Sequence, residues 1–170
     1  MIIGRPRIAG VLLALGLVAI AGAETPTGTA QLSGKASVAV RGCGADRDPS
    51  FSATVTWFGD GTWKAADSEA DLFGGTWTSV GAGGRTLDLF FDAETEADLI
   101  STIAEDVGVL CDLGSVTVTS SVRKLFTLKL NRAATKAKVV LRYVFKGHAG
   151  NRTGSAKYRV RAKGAFAPAA

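Results

Sequence analysis

The residues of this chain with the clearest capacity for chemistry are the cations of its last quarter. Between positions 137 and 163, lysine and arginine alternate with apolar residues. Successive side chains of a strand point to opposite faces of the sheet, so this pattern predicts strands with one apolar face and one basic face. The candidate anion-binding residues are Lys138, Arg142, Lys146, Lys157, Arg159, Arg161 and Lys163. Either this surface attracts an anionic partner, or acidic parts of the same fold neutralise it.

The charge of the chain supports both interpretations. Positions 24–112 contain fifteen acidic and five basic residues, whereas positions 113–170 contain thirteen basic and no acidic residues. Such asymmetry is typical of a basic interaction surface or of two halves that neutralise each other in the fold.

The first 23 residues have the layout of a secretory signal peptide. Arg5 and Arg7 precede an apolar run at positions 8–21, and Ala21-Gly22-Ala23 fits the rule of small residues at a cleavage site. The unbroken apolar run is short for a membrane span, which needs about 20 residues. We therefore expect an exported protein, periplasmic or extracellular, in which residues 24–170 form one domain without a transmembrane span.

Cys43 and Cys111 are the two cysteines of the chain. In an exported protein, an even number of cysteines favours a disulfide. We do not expect a metal site, because the sequence has no CxxC motif and one histidine, His148.

Alternation of apolar and polar residues predicts eight or nine short strands, at positions 32–41, 51–58, 62–66, 75–80, 86–91, 115–119, 125–130, 137–146 and 155–163. Turns are expected at positions 42–49, 131–136 and 147–154. Residues 120–124 form either a tight hairpin or a bulge in one longer strand.

The period changes at positions 92–107, where Leu99, Ile103 and Val107 recur at helical spacing. This spacing predicts an amphipathic helix that Asp92 or Thr95 can cap and that Gly108 ends. The expected fold is all-β, an antiparallel up-and-down barrel or half-barrel with this helix inserted between strands. A sandwich remains the alternative. A transmembrane barrel shares the alternation, but the helix and the disulfide favour a soluble domain.

Several apolar residues are candidates for the core or for the lining of a ligand pocket inside a barrel: Trp57, Trp63, Trp77, Leu141, Tyr143, Phe145 and Tyr158. Two Gly-Thr-Trp triplets, at positions 61–63 and 75–77, occur in an exported chain of about eight antiparallel strands. In these features the chain resembles the calycin group, which includes the lipocalins. The resemblance implies a calycin-like barrel that holds an apolar small molecule.

We expect no catalytic residues and no cofactor, because a Gly-x-Ser-x-Gly motif is absent and His148 lies in an expected turn. The predicted function is that of an exported, non-enzymatic binding protein for an apolar small molecule in the barrel interior. The alternative is an envelope surface, adhesion or structural protein that binds anionic lipid or polysaccharide through the basic C-terminal sheet face. Nucleic acid is not an expected partner, since no aromatic stacking set accompanies the cations.

Overall fold

The computed structural model of the chain describes residues 26–67, 72–81 and 83–169. The predicted signal peptide, residues 1–23, lies outside this range. The elements are, in chain order, β1 (Pro26–Val40), β2 (Gly44–Phe58), β3 (Thr62–Asp67), β4 (Leu72–Val80), β5 (Thr86–Phe91), α1 (Ala93–Leu110), β6 (Thr117–Leu130), β7 (Lys136–Ala149) and β8 (Arg152–Pro168).

The eight strands form a closed antiparallel barrel in sequence order. Each strand pairs with the next along the chain, and β1 pairs with β8 to close the sheet. The predicted all-β up-and-down barrel is therefore confirmed, with the single helix of the described residues inserted between β5 and β6. Closure excludes the half-barrel and the sandwich.

Several strands are longer than the sequence predicted. β1 begins at Pro26 instead of position 32, and β2 begins at Gly44, within the stretch expected to be a turn. The reason is tertiary pairing: residues 28–31 bond to β2 on one side and to β8 on the other, and residues 44–48 of β2 pair with residues 36–40 of β1. Pairing on two edges stabilises an extended backbone even where the side chains have low strand propensity.

The ends of β6, β7 and β8 also differ from expectation. Residues 120–124 lie inside β6, where register shifts at positions 118–120 and 123–125 mark bulges. The expected turn at positions 147–154 is reduced to Gly150 and Asn151, because Ala149 already pairs with Arg152. His148 therefore lies on β7, opposite Thr153, and is exposed.

Helix α1 covers one end of the barrel with its apolar face, through the buried residues Leu99, Ile103 and Val107. Asp92 caps it, accepting a hydrogen bond of 2.7 Å from the backbone N–H of Thr95. The helix does not end at Gly108 as predicted but continues to Leu110. Gly108 is buried, and its carbonyl accepts a hydrogen bond of 2.8 Å from the backbone N–H of Leu113, just beyond the helix.

The seam between β5 and β6 contains only three residue pairs, from Thr86 with Lys129 to Asp88 with Thr127. Beyond these three pairs, where no further residue pair joins β5 to β6, the Arg123 guanidinium connects the two strands. It donates to the Asp88 carboxylate at 2.7 Å and to the Leu89 carbonyl at 2.8 Å, and it lies 3.9 Å from the centre of the Phe90 ring. One side chain thus joins the two strands where the helix interrupts the sheet.

Barrel closure predicts a strong effect at Gly164, where a Cβ would overlap the carbonyl oxygen of Gln31 on β1. Gly164→Ala should cost about 3 kcal/mol of folding free energy, because neither backbone can move without breaking the β1–β8 ladder. Gly154→Ala, also on β8 but with open space around its Cα, should change stability by less than about 0.5 kcal/mol. Urea unfolding of both variants checks this, and equal midpoints would contradict it.

Candidate functional site

Four adjacent strands carry a continuous set of exposed cations on the outside of the barrel. We call this set the basic face; its members are Lys35 on β1, Lys129 on β6, Lys138, Arg142 and Lys146 on β7, and Lys157, Arg159, Arg161 and Lys163 on β8. All seven predicted anion-binding residues belong to it. Lys35 and Lys129 were missed by the sequence analysis, because they join the surface only through barrel closure and through the register of β6.

The register of the sheet places several of these cations directly opposite one another. Lys138 pairs with Lys163, and Arg142 pairs with Arg159, across the β7–β8 ladder. Arg161 pairs with Lys35 on its other side. Opposite residues of an antiparallel pair have Cβ atoms about 5 Å apart, and like charges in that position are destabilising.

Among the described residues, no ion pair joins a carboxylate to a cation of this surface. No aspartate or glutamate occurs in β1, β6, β7 or β8. The one ion pair recorded among the described residues joins Arg123 to Asp88 on the β5–β6 seam. On the helix, Glu96 accepts a hydrogen bond of 2.6 Å from the Ser121 hydroxyl and contacts no lysine or arginine of the basic face.

A groove of about 440 Å³ runs between β1 and β8 within the basic face. Beside it, β1 is bulged against β2 at positions 34–36. Hydroxyl and cationic side chains share its walls, among them Ser33, Ser37, Lys35, Arg159 and Arg161. Such a wall can donate hydrogen bonds to oxyanions and to sugar hydroxyls alike.

The interior of the barrel is nearly filled by side chains. An apolar cavity of about 80 Å³ remains, which we call the interior cavity. Of the residues predicted to line a ligand pocket or the core, Trp63, Leu141 and Tyr158 contact it. Ligand pockets for drug-sized molecules measure about 300–1,000 Å³, so this cavity is small for such a ligand.

The other predicted aromatic residues pack elsewhere. Trp57 stacks on Phe166 at 5.1 Å between ring centres. Trp77 is half-buried and donates from its indole N–H to the Phe58 carbonyl at 3.1 Å. Tyr143 is buried and stacks on Phe145 at 5.7 Å, and burial raises the pKa of Tyr143 to about 12.

The disulfide between Cys43 and Cys111 is confirmed. It joins the β1–β2 turn to the end of α1, with the two Cα atoms 5.0 Å apart. Among the described residues, no group of three or more His, Cys, Asp or Glu side chains could hold a metal ion.

A cleft of about 640 Å³ separates α1 from β1 and β2 and is lined by four carboxylates, those of Asp46, Asp48, Asp98 and Asp106. Burial, and then the nearby Asp46 and Glu105, raise the pKa of Asp106. The acidic residues of the helix therefore lie against acidic residues of β2, and their mutual repulsion opposes the docking of α1.

Comparisons with known proteins give no relative. No family model, no curated protein and no solved structure matches the chain. Within the described residues, no helix is both long and apolar enough to cross a membrane.

The raised pKa of Asp106 predicts a pH-dependent gain in stability for Asp106→Asn. The folded state binds the Asp106 proton more tightly than the unfolded chain, whose carboxyl has the ordinary pKa of 3.8. Ionisation of Asp106 therefore destabilises the fold above its raised pKa, and this penalty disappears below pH 3.8. Urea midpoints should show D106N more stable than the parent at pH 7 and equal to it near pH 3.

Asp60 provides the control of opposite sign. It is fully exposed, and hydrogen bonds from the Thr62 hydroxyl and the Thr62 N–H lower its pKa. Asp60→Asn should therefore lower the urea midpoint at pH 7. If Asp106→Asn and Asp60→Asn changed the urea midpoint at pH 7 equally, the change in net charge, rather than the local environment of Asp106, would determine the change in stability.

Proposed function

We propose that the protein is an exported, non-enzymatic binding protein that holds an anionic polysaccharide of the cell envelope on its basic face. The supporting observation is that the nine exposed cations of the basic face lie on four adjacent strands that contain no carboxylate. Export rests on the signal-like first 23 residues and is part of the proposal.

The opposed like charges favour a binding role for this surface. Lys138 opposite Lys163 and Arg142 opposite Arg159 destabilise the sheet in the free protein. A polyanion would remove this repulsion on binding, because its charges screen the cations from one another. If these cations bound no ligand, almost any uncharged residue at these exposed positions would relieve the repulsion without loss.

The shape of the basic face favours a polymer over a lipid bilayer. The outer wall of a barrel is convex, so a flat membrane meets only a narrow band of it. In the described chain, the four strands of the basic face carry one exposed large apolar residue, Val122 on β6, whereas membrane-surface binding relies on several such anchors. A flexible chain can instead follow the four cations of β8, which are spaced about 6.8 Å apart and span about 20 Å.

The proposal predicts that Arg159→Gln, Arg161→Gln and Lys163→Gln together abolish retention on an acidic polysaccharide. The measurement is affinity electrophoresis or chromatography on immobilised polygalacturonate, with neutral dextran as the blank. The parent should be retained at 50 mM NaCl and released by about 0.5 M NaCl, where the Debye length is about 4 Å.

A matched control variant carries the same loss of three positive charges elsewhere, at the exposed residues Arg47, Lys64 and Arg85. This control should be retained like the parent. The triple variant of the basic face should also be at least as stable as the parent, because it loses opposed like charges. Equal retention of both variants, or stronger binding to phosphatidylglycerol vesicles than to polygalacturonate, would contradict the proposal.

The interior cavity supports a second candidate, the binding of an apolar small molecule inside the barrel. Its walls are almost wholly apolar, but about 80 Å³ is less than the 150 Å³ that suffices for benzene. Leu141→Ala should enlarge the cavity at a cost of about 2–5 kcal/mol and allow benzene to raise the thermal midpoint. If benzene stabilises neither L141A nor the parent, this candidate fails.

A further inference from the structure

A second concave site lies at the helix-covered end of the barrel, between the C-terminal half of α1 and the ends of β1, β6, β7 and β8. We call it the mouth pocket; its volume is about 230 Å³. It is separate from the groove of the basic face and from the interior cavity. The volume exceeds the 150 Å³ that holds a benzene molecule, so it can enclose an alkyl chain of several carbons.

The deep wall of the mouth pocket is apolar. Ile103 and Val107 of α1 form one side, and Phe145 of β7 with Val116 and Val118 forms the other. Ile103, Val107 and Phe145 are among the buried core residues. An alkyl group placed here would gain the free energy of leaving water without displacing any polar contact.

The rim of the mouth pocket is basic. Arg41 follows β1, Lys146 and His148 lie on β7, and Arg152 begins β8. All four side chains are exposed, and no aspartate or glutamate lines the pocket. The guanidinium groups of Arg41 and Arg152 can each donate two parallel hydrogen bonds to a carboxylate or phosphate.

An apolar wall beside a rim that carries arginine and lysine but no carboxylate selects one chemistry. We propose that the mouth pocket binds a single-chain anionic amphiphile, with its alkyl chain against Val107, Val118 and Phe145 and its acid group at Arg41 and Arg152. A cationic amphiphile would meet like charges at the rim, and a neutral one would leave the rim unused. A polysaccharide cannot enter an apolar pocket of this size, so the site is independent of the polymer-binding proposal.

The walls are held in place before any ligand arrives. The disulfide borders the pocket and fixes the end of α1 to the β1–β2 turn. At the other end of the helix, the Gly74 N–H donates to the Thr95 hydroxyl at 3.0 Å. A pocket that needs no ordering on binding retains more of its contact free energy as affinity.

The test is isothermal titration calorimetry of the oxidised mature chain with octanoate, octyltrimethylammonium and octanol, each below its micellar concentration. Octanoate should bind with one-to-one stoichiometry, and octyltrimethylammonium should not bind. Octanoate should bind roughly tenfold more tightly than hexanoate, since each buried methylene is worth up to about fourfold in affinity. Octyl phosphate and free inorganic phosphate distinguish an amphiphile site from a simple anion site, which would bind both equally.

Two variants locate the site. Arg41→Gln with Arg152→Gln should weaken octanoate binding at least tenfold, whereas Arg159→Gln, Arg161→Gln and Lys163→Gln together should weaken it much less, because they remove only long-range attraction. On polygalacturonate the order should be reversed: the variant of Arg159, Arg161 and Lys163 should lose retention, and the variant of Arg41 and Arg152 should keep it. The two measurements can therefore contradict either proposal separately. Amide shifts on addition of octanoate should centre on Val116, Val118 and Gly147.

Four results would overturn the proposal. The first is the absence of octanoate binding to the parent, and the second is equal binding of octanoate and octyltrimethylammonium. The third is equal weakening of octanoate by both sets of substitutions, which would indicate a general charge effect. Amide shifts confined to residues around the interior cavity would place the ligand elsewhere and count equally against it.

Discussion

Pairing of β1 with β8 closes the barrel, and the remaining features of the molecule depend on this contact. The two strands pair from Gly28 with Pro168 to Val40 with Ala156. Their ladder satisfies the backbone groups that would otherwise form open sheet edges, which readily pair with other chains. It also brings Lys35 opposite Arg161 and thereby extends the basic face across a fourth strand. The close approach of the two backbones at Gly164 is a direct consequence of the same closure.

Closure with eight strands also decides where a ligand can lie. The interior of such a barrel is just wide enough for side chains to fill. Here Trp63, Phe91 and Phe126 form a contiguous cluster, with ring centres 4.7–5.7 Å apart. The space that remains is small, and the larger concave sites are at the helix-covered end and on the outer wall. Binding chemistry is therefore shifted from the barrel axis toward its surface and its end.

The sequence predicted the parts of this structure that depend on local periodicity. Alternation along β7 and β8 correctly placed the apolar residues inside the barrel and the seven cations outside it, because the face on which a side chain lies follows from the pleat alone. The Asp92 cap and the helix were visible for the same reason. The extended conformation of residues 44–50 and the pairing of Lys35 with Arg161 could not be predicted in this way, because they depend on which strands lie side by side. The mouth pocket could not be predicted either, because the two arginines of its rim, Arg41 after β1 and Arg152 at the start of β8, are more than 100 residues apart in the sequence.

The two proposed sites are not electrostatically independent, although their ligands differ. Lys146 belongs to both the basic face and the rim of the mouth pocket. Lys157 is the diagonal neighbour of Lys146 on the β7–β8 ladder, about 7–8 Å away, which is within the Debye length of about 8 Å at physiological salt. An anion bound at one site lowers the positive potential felt at the other, so a polyanion and an anionic amphiphile should oppose each other's binding. Linkage requires this opposition to be reciprocal. The absence of carboxylates from β1, β6, β7 and β8 therefore supplies one positive field that both ligands share, and added salt should weaken their affinities and their competition together.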